Sequence, residues 1–208
     1  MENPTEGLYH FETLLWAEGI NGILGLDEVG RGCLAGPVVA AGVILNQSKP
    51  IDGLNDSKVL TAEERVEIAR NIKENAFYWT IRECDVDEID RLNIYWASIV
   101  AMEKCVNKSL PHAEYLLVDG KQYPSVPIPG KCLIKGDSRS ASIAAASILA
   151  KVYRDELMYN LHQQLPFFGW DTNVGYPTRK HYSGLEEYGI TSHHRRSFKL
   201  GTKKEYQV

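Results

Sequence analysis

The chain has 208 residues, of which 44% are hydrophobic and 10% aromatic, and its net charge at pH 7 is −4. This composition is typical of a folded globular protein with one large domain, alone or with a small appendage. No run of about 18 apolar residues could cross a bilayer, and the acidic N-terminal stretch does not resemble a secretion signal. We therefore expect a cytoplasmic protein with no membrane partner, and a monomer, because nothing in the sequence demands a second chain.

Charge is distributed unevenly along the chain. Residues 175–208 hold seven Lys or Arg against three Glu, so this segment is basic while the preceding body is acidic. An acidic body suits a cluster of metal-binding carboxylates, and a basic segment suits contact with a polyanion. The alternative is that the basic residues form a solvated tail without a partner.

The first predicted elements are a helix and a β-hairpin. Helical spacing over residues 11–19 is followed by two apolar segments, at 22–30 and 36–45, that predict strands. The sequence Gly-Arg-Gly at 30–32, called the GRG loop below, lies between them. We therefore expect this loop to join two antiparallel strands.

Helices and strands then alternate along the chain. Thr61 followed by Glu64 is a capping-box pattern that predicts a helix over residues 62–75. Aromatic and β-branched residues predict a strand at 77–84, and apolar residues at helical spacing predict a helix through 86–108.

The second half of the chain adds two short strands and two helices. Strands are predicted at 113–120 and 131–137, a long helix rich in small residues at 140–165, and a short helix near 179–188. Hairpin strands followed by alternating helices and strands predict an α/β protein with a mixed five-stranded sheet flanked by helices.

We also expect a division of the chain near residue 160. Residues 1–160 would form the main domain, and residues 161–208, which are rich in turns, would form a small helical and basic C-terminal module packed on it.

Acidic residues end several of the predicted strand segments. Asp27 and Asp119 each follow an apolar run, Glu28 is next to Asp27, and Asp137 stands just before the long helix. Strand ends of an open α/β sheet form the edge at which ligands bind. Clustered carboxylates are costly to bury unless a divalent cation neutralises them, and oxygen ligands suit Mg²⁺ or Mn²⁺. The alternative is that each is an ordinary strand-end or helix-capping residue.

The position of Glu28 raises a geometric difficulty. Adjacent residues of a regular strand point to opposite faces, so Asp27 and Glu28 cannot both reach one ion through their side chains. A twist or bulge at the strand end, or a ligand from the Glu28 carbonyl, would reconcile the two.

Glycines and basic residues near the acids suit a sugar-phosphate backbone. Gly30 and Gly32 allow close backbone approach, and their N–H groups can face an anion. Lys58 precedes a predicted helix, and Arg195 and Arg196 lie in the basic segment. A dinucleotide-binding fingerprint is not favoured, because its third glycine is missing and no helix follows the loop.

The order of motifs along the chain resembles the ribonuclease HII family, the bacterial type 2 ribonucleases H. The resemblance covers roughly residues 20–198 and rests on six motifs: GLDEVGRG, NDSK, LLVDG, GDSRSASIAAASILAKVYRD, GYPTRKHYSGL and HHRRSF. It implies a ribonuclease H-like fold, with the main domain as the catalytic domain.

The resemblance also implies an activity and a metal site. The family cleaves the RNA strand of RNA/DNA hybrids and incises 5′ to single ribonucleotides in duplex DNA, leaving a 3′-hydroxyl and a 5′-phosphate. Its catalytic and metal-binding acids correspond to Asp27, Glu28 and Asp119, with Asp137 as the fourth. The expected cofactor is Mn²⁺ or Mg²⁺, with two ions when substrate is bound.

Substrate contacts follow from the same resemblance. The GRG loop would read the 2′-hydroxyl of the ribonucleotide, which is the group that distinguishes RNA from DNA at a given position. A tyrosine that stacks on the adjoining deoxyribose corresponds to Tyr176, and either His193 or His194 would contact the nucleic acid. The remaining predicted substrate-binding residues are Gly30, Arg31, Gly32, Lys58, Ser140, Arg195 and Arg196.

Two other functions are compatible with parts of the sequence. A protein that binds nucleic acid without cutting it would keep the basic segment, but it gains nothing from carboxylates that face phosphates. A metal-dependent phosphatase for small molecules would explain the acids and leave the basic segment unexplained.

Overall fold

The central feature of the computed structural model, which describes residues 7–201, is a five-stranded sheet in the spatial order β3-β2-β1-β4-β5. The strands are β1 Ile23–Val29, β2 Val38–Ile44, β3 Tyr78–Cys84, β4 Tyr115–Asp119 and β5 Gly130–Leu133. β2 pairs antiparallel with β1 and β3, whereas β4 pairs parallel with β1 and β5. The predicted hairpin and the mixed α/β sheet are confirmed.

Helices cover both faces of this sheet. They are α1 His10–Ala17, α2 Ala62–Asn75, α3 Val86–Leu92, α4 Ile94–Ser109, α5 Ala141–Gln164, α6 Trp170–Asn173 and α7 Arg179–Tyr188. α3 and α4 bury apolar side chains on one face, and α2 and α5 do so on the other. In α5 this contact is made by small residues, so the helix lies close to β1: a methyl group on Gly25 would meet the Ser142 backbone.

The structure differs from the prediction in three places. The single helix expected over 86–108 is two helices, because Asn93 adopts a φ of 63° and its side chain caps the start of α4. The strand expected to reach residue 137 ends at Leu133, and Gly136–Ser138 form a 3₁₀ turn. α6 was not predicted, because it is a single turn. By contrast, α2 has the predicted bounds and its capping box is present.

A buried carboxylate attaches α1 to the start of α5. Glu12 is fully buried, and its Oε1 accepts hydrogen bonds from the hydroxyls of Ser140 and Ser142 and from the Ser142 backbone N–H. Ser140 is also the N-cap of α5, because its hydroxyl oxygen accepts a hydrogen bond from the Ile143 N–H. The negative charge lies at the helix N-terminus, which it stabilises.

The C-terminal part of the described chain packs on the end of α5. Its apolar cluster consists of Leu34, Ala35, Met158, Phe168, Trp170, Leu185 and Leu200. This cluster joins α6 and α7 to the segment that follows the GRG loop. The division near residue 160 stays a prediction, and that residue lies within α5. No helix among residues 7–201 is long and apolar enough to cross a membrane.

We predict that Glu12→Ala lowers the free energy of unfolding by about 2 kcal/mol, because buried donors at the start of α5 lose a charged acceptor. Urea denaturation measures the change. Glu18→Ala is the control, since Glu18 is exposed just after α1. An equal, small effect of both substitutions would contradict this role of Glu12.

Candidate active site

Two carboxylates lie where the parallel pairing of β1 and β4 stops. The β1–β4 pairing runs from Ile23 opposite Tyr115 to Leu26 opposite Val118. One further step in the same register places Asp27 beside Asp119, where the ladder stops. The edge formed by these strand ends is where an open α/β sheet binds its ligands.

Asp27 is held on the α5 side of the sheet. Its Oδ1 accepts the Glu28 backbone N–H at 2.7 Å, and it is hydrogen-bonded to the Ser147 side chain, which is in turn 2.9 Å from the Ser57 hydroxyl. Burial raises the pKa of Asp27 well above its usual range, and the charges of Glu28 and Asp119 raise it further. The site therefore holds a carboxylate whose charge is poorly compensated by the protein.

The Glu28 side chain lies on the other face, as strand geometry requires. The β1–β2 register is continuous from Leu24 to Val29, so no bulge occurs at this position. Oε1 of Glu28 accepts a hydrogen bond from Arg31 Nη1 at 3.2 Å. Burial raises the pKa of Glu28, Arg31 opposes this effect, and Asp119 adds to it. Glu28 is thus electrostatically part of the acidic group and is also tied to the GRG loop.

Asp119 and Asp137 are linked by the turn after β5. Oδ1 of Asp119 accepts the Gly136 N–H at 2.7 Å. Burial raises the pKa of Asp119, this hydrogen bond lowers it, and the charge of Asp137 raises it. Lys58 Nζ lies 2.8 Å from Asp137 Oδ2, and this hydrogen bond raises the pKa of Lys58. The four predicted acids are therefore neighbours, with Lys58 on one side of them.

The donor chemistry of this edge fits a hard divalent cation. All four side chains are carboxylates, and three of them have a raised pKa caused by burial and mutual repulsion. Within residues 7–201 no three acidic, His or Cys side chains already converge as a complete ligand cluster. The acids are thus grouped without converging on one point, and Lys58 and Arg31 form ion pairs with two of them.

The GRG loop begins with a glycine that the fold requires. Gly30 has a φ of 94°, and a methyl group there would lie 2.2 Å from Nε of Arg154. Gly32 differs, because a methyl group there would meet only the Tyr176 ring, at 3.5 Å. The loop and Tyr176 therefore face each other across a narrow space, and the Leu34 N–H bonds the Gly175 carbonyl at 2.8 Å.

Two buried imidazoles hold the backbone of Tyr176. The Tyr176 carbonyl lies 3.0 Å from Nδ1 of His181, which must carry the proton there. Nε2 of His181 then accepts from Trp170 Nε1 and from His194 Nε2. Nδ1 of His194 accepts the Thr191 N–H, which is consistent with this assignment. Both imidazoles are neutral in this network.

The structure corrects two predicted substrate contacts. Ser140 is fully buried against Glu12, and Arg195 is fully buried with its Nε bonded to the Gly36 carbonyl, so neither side chain can touch a duplex directly. Both were expected to contact the duplex because the family resemblance places their segments along it. Arg196 is exposed, and its backbone N–H donates a hydrogen bond to the Asp90 carboxylate.

The structure also separates the two adjacent histidines. His194 is buried in the imidazole network, whereas His193 is only half-buried beside Trp170. Of the pair, His193 is therefore the one with surface available to a duplex. Sequence reasoning also missed Arg154, because an arginine inside a long helix gives no signal of burial.

Comparisons with known proteins agree with this architecture. The ribonuclease HII family matches residues 24–201. Ribonuclease HII of Ruegeria pomeroyi is 50% identical over 204 residues, covering 98% of this chain and 87% of that protein. Ribonuclease H2 from Pyrococcus horikoshii OT3 superposes with a TM-score of 0.75 at 24% identity, covering 86% of this chain and 94% of that one. The structure of Bst-RNase HIII in complex with Mn²⁺ superposes with a TM-score of 0.65 at 21% identity. The match covers 96% of this chain and 74% of that one.

The sheet order and its flanking helices define a ribonuclease H-like enzyme fold. Within that class, the chain belongs to the ribonuclease HII family. The protein is accordingly a ribonuclease H, of a family that cleaves RNA in RNA/DNA hybrids and depends on divalent metal ions. This outcome confirms the predicted enzyme class over the non-cutting binder and the small-molecule phosphatase.

We predict that the neutral histidine pair makes stability fall as the pH drops. Burial lowers the pKa of His181, and burial with the neighbouring imidazoles lowers the pKa of His194 to about 3. The unfolded chain protonates these groups near pH 6.5 and the folded one does not, so unfolding takes up protons below that pH. Below that pH, each imidazole lowers the free energy of unfolding by up to about 1.4 kcal/mol per pH unit.

Urea denaturation of the wild type and of His194→Gln between pH 7.5 and pH 5 tests this prediction. The free energy of unfolding should fall less steeply with decreasing pH in His194→Gln than in the wild type. His112→Gln is the control, because His112 is exposed and lies outside the network. Parallel slopes for the wild type and His194→Gln would refute the prediction.

Proposed function

We propose that the protein incises duplex DNA on the 5′ side of a single embedded ribonucleotide, in addition to cutting RNA/DNA hybrids, and leaves a 3′-hydroxyl and a 5′-phosphate. The observation that carries this proposal is the contact between the acidic edge and the GRG loop, made by Glu28 and Arg31. A group recognised by the loop therefore has its phosphodiester next to the acids. Such incision would begin ribonucleotide excision repair.

Asp27, Glu28, Asp119 and Asp137 are the proposed catalytic and metal-binding residues. Their clustering and their raised or repelling charges support this assignment. A bound Mg²⁺ or Mn²⁺ pair would supply an activated water and stabilise the leaving oxygen. The Mn²⁺ complex of the structural neighbour Bst-RNase HIII supports such an ion, without deciding between the two metals.

The Glu28 side chain needs no distortion of β1 in this proposal. It lies on the opposite face from Asp27 but next to the loop, so its carboxylate holds Arg31 while its backbone stays beside Asp27. The backbone-carbonyl route to the metal thus remains open for Glu28, whereas the bulge considered from the sequence is excluded.

The GRG loop and Tyr176 are the proposed ribose-recognition elements. Gly32 and the partly exposed Tyr176 ring lie next to each other, which supports this, since one sugar can contact both. Backbone groups of the loop can donate to and accept from a 2′-hydroxyl, which deoxyribose lacks. Lys58 and Arg196, both exposed, are the proposed phosphate contacts.

We also propose that the protein acts as a monomer in the cytoplasm. Every residue of the proposed site comes from one chain, which supports the first statement. All four cysteines are free thiols, which supports the second statement because thiols stay reduced in the cytoplasm.

The direct test is incubation with a DNA duplex that holds one ribonucleotide, with Mg²⁺ or Mn²⁺ and then with excess EDTA. We expect a single metal-dependent nick 5′ to the ribonucleotide, and an all-DNA duplex should stay intact. Cutting of RNA/DNA hybrids without this nick would refute the proposal and leave the family activity standing.

We predict that Asp27→Asn and Asp119→Asn each lower kcat by roughly 100-fold or more, because a metal ligand is lost. In EDTA, Asp27→Asn should raise the melting temperature, since one of several repelling buried charges is removed. Asp52→Asn, on an exposed turn, is the control. A variant at either site that keeps wild-type turnover would overturn the metal-site assignment.

We predict that Tyr176→Ala weakens cutting at single ribonucleotides more than cutting inside long RNA tracts. Gly32→Ala should have the same selective effect with a normal melting temperature, because the fold has room for the methyl group. The methyl group would, however, cover the surface that the sugar contacts. Steady-state kcat/KM on both substrates measures the difference. Equal losses on the two substrates would contradict the recognition role.

A further inference from the structure

Two fully buried arginines lie behind the GRG loop. Arg154 belongs to α5, and Arg195 follows α7. In the part of the chain that the structure describes, neither guanidinium is within ion-pair distance of an Asp or Glu. A buried cation without a counter-charge is strongly disfavoured in a fold, so its presence calls for a physical reason.

Arg154 connects the segment after the GRG loop to the segment before Tyr176. Its Nε and Nη2 donate to the carbonyls of Pro37 and Ala35 at 3.0 and 3.1 Å, and its Nη1 donates to the Val174 carbonyl at 2.8 Å. Its guanidinium also packs against Gly30. One planar side chain therefore sets the distance between the two proposed ribose-recognition elements.

Arg195 fixes the loop from a second side. Its Nη1 donates to the carbonyl of Arg31, the central residue of the loop, at 3.1 Å, and its Nε donates to the Gly36 carbonyl at 2.9 Å. Its backbone N–H bonds the Leu34 carbonyl. Its Nη2 has no hydrogen-bond partner among the described residues although the atom is buried, which is an additional cost.

These contacts differ from those of an ordinary buried ion pair. Neutral carbonyls accept all five of the guanidinium hydrogen bonds, so they do not cancel the two positive charges. Low-dielectric surroundings extend the reach of a buried charge. Both positive charges therefore act on the loop, which Arg154 contacts at Gly30 and Arg195 at the Arg31 carbonyl.

We propose that Arg154 and Arg195 are positioning residues for ribose recognition, which hold the GRG loop against Tyr176 and attract the phosphodiester that adjoins the recognised sugar. This inference rests on the recognition role proposed above. It replaces the direct duplex contact expected of Arg195 with an indirect one, and it adds Arg154.

Lysine and glutamine substitutions separate the two contributions. Arg→Lys keeps the charge and loses the planar fork, whereas Arg→Gln keeps a donor and loses the charge. We expect Arg154→Lys and Arg195→Lys to lower the preference for single ribonucleotides over long RNA tracts by roughly 10-fold or more, mostly through KM, because the loop is misplaced. The Gln variants should in addition reduce the salt dependence of KM, by a log–log slope of up to about one.

Controls and a second measurement keep the test decisive. Arg70→Lys and Arg70→Gln, on the exposed face of α2, should leave preference and salt slope unchanged. In the wild type, hydrogen exchange at the Leu34 and Gly36 amides should be slow before substrate is added, because the segment held by the two arginines is already hydrogen-bonded. That experiment applies even if no substituted protein folds.

Different results would refute the positioning role and the proposed function. Folded Lys and Gln variants with wild-type preference and salt slope, or fast exchange at both amides, would overturn the positioning role. A lower melting temperature with unchanged preference would show that the arginines only stabilise the fold. If the wild type does not nick at single ribonucleotides, the proposed function fails, and the arginines are then judged by KM on the hybrid and by exchange.

Discussion

The parallel pairing of β1 with β4 is the constraint on which the remaining structure depends. It sets Asp27 and Asp119 side by side where the ladder ends, and it can exist only because α4 returns the chain along one face of the sheet. The GRG loop follows β1 directly, so it necessarily lies next to the same edge. The GRG loop and the acidic edge are therefore adjacent because of one strand register.

Charges of opposite sign are separated on the two sides of the loop. The acidic edge repels itself, and Lys58 and Arg31 each offset part of that repulsion. Behind the loop, two buried guanidiniums donate to neutral carbonyls. Each group alone is unfavourable for folding. In the function proposed above, a divalent cation would compensate the acids and a phosphodiester would compensate the arginines.

Much of the fold could be predicted from local sequence. The Thr61 capping box determined where α2 begins because capping is a contact within one turn, and the alternation of strands and helices determined the sheet class. The break at Asn93 was missed because apolar spacing continues across it. The burial of Ser140 and Arg195 was missed for a different reason: their partners are Glu12 and distant backbone carbonyls, which no local pattern reveals.

The candidate acids were predictable because a strand-end carboxylate is visible in the sequence as an acid after an apolar run. The resemblance implied that these acids form one site, and the β1–β4 register, which the structure shows, places Asp27 beside Asp119. The catalytic roles of these acids stay predictions. The positioning arginines had no such signal, because an arginine is exposed in most proteins and only tertiary packing shows otherwise.

The strand order has a consequence for biosynthesis. β1 carries Asp27 out of the ribosome long before β4 carries Asp119, and Arg195 is made near the end of the chain. A nascent chain therefore holds only Asp27 and Glu28 of the four acids until residue 119 is made, and it lacks Arg195 until synthesis is almost complete. The GRG loop can consequently reach its final position, bonded to Arg195, only after nearly the whole chain has been made.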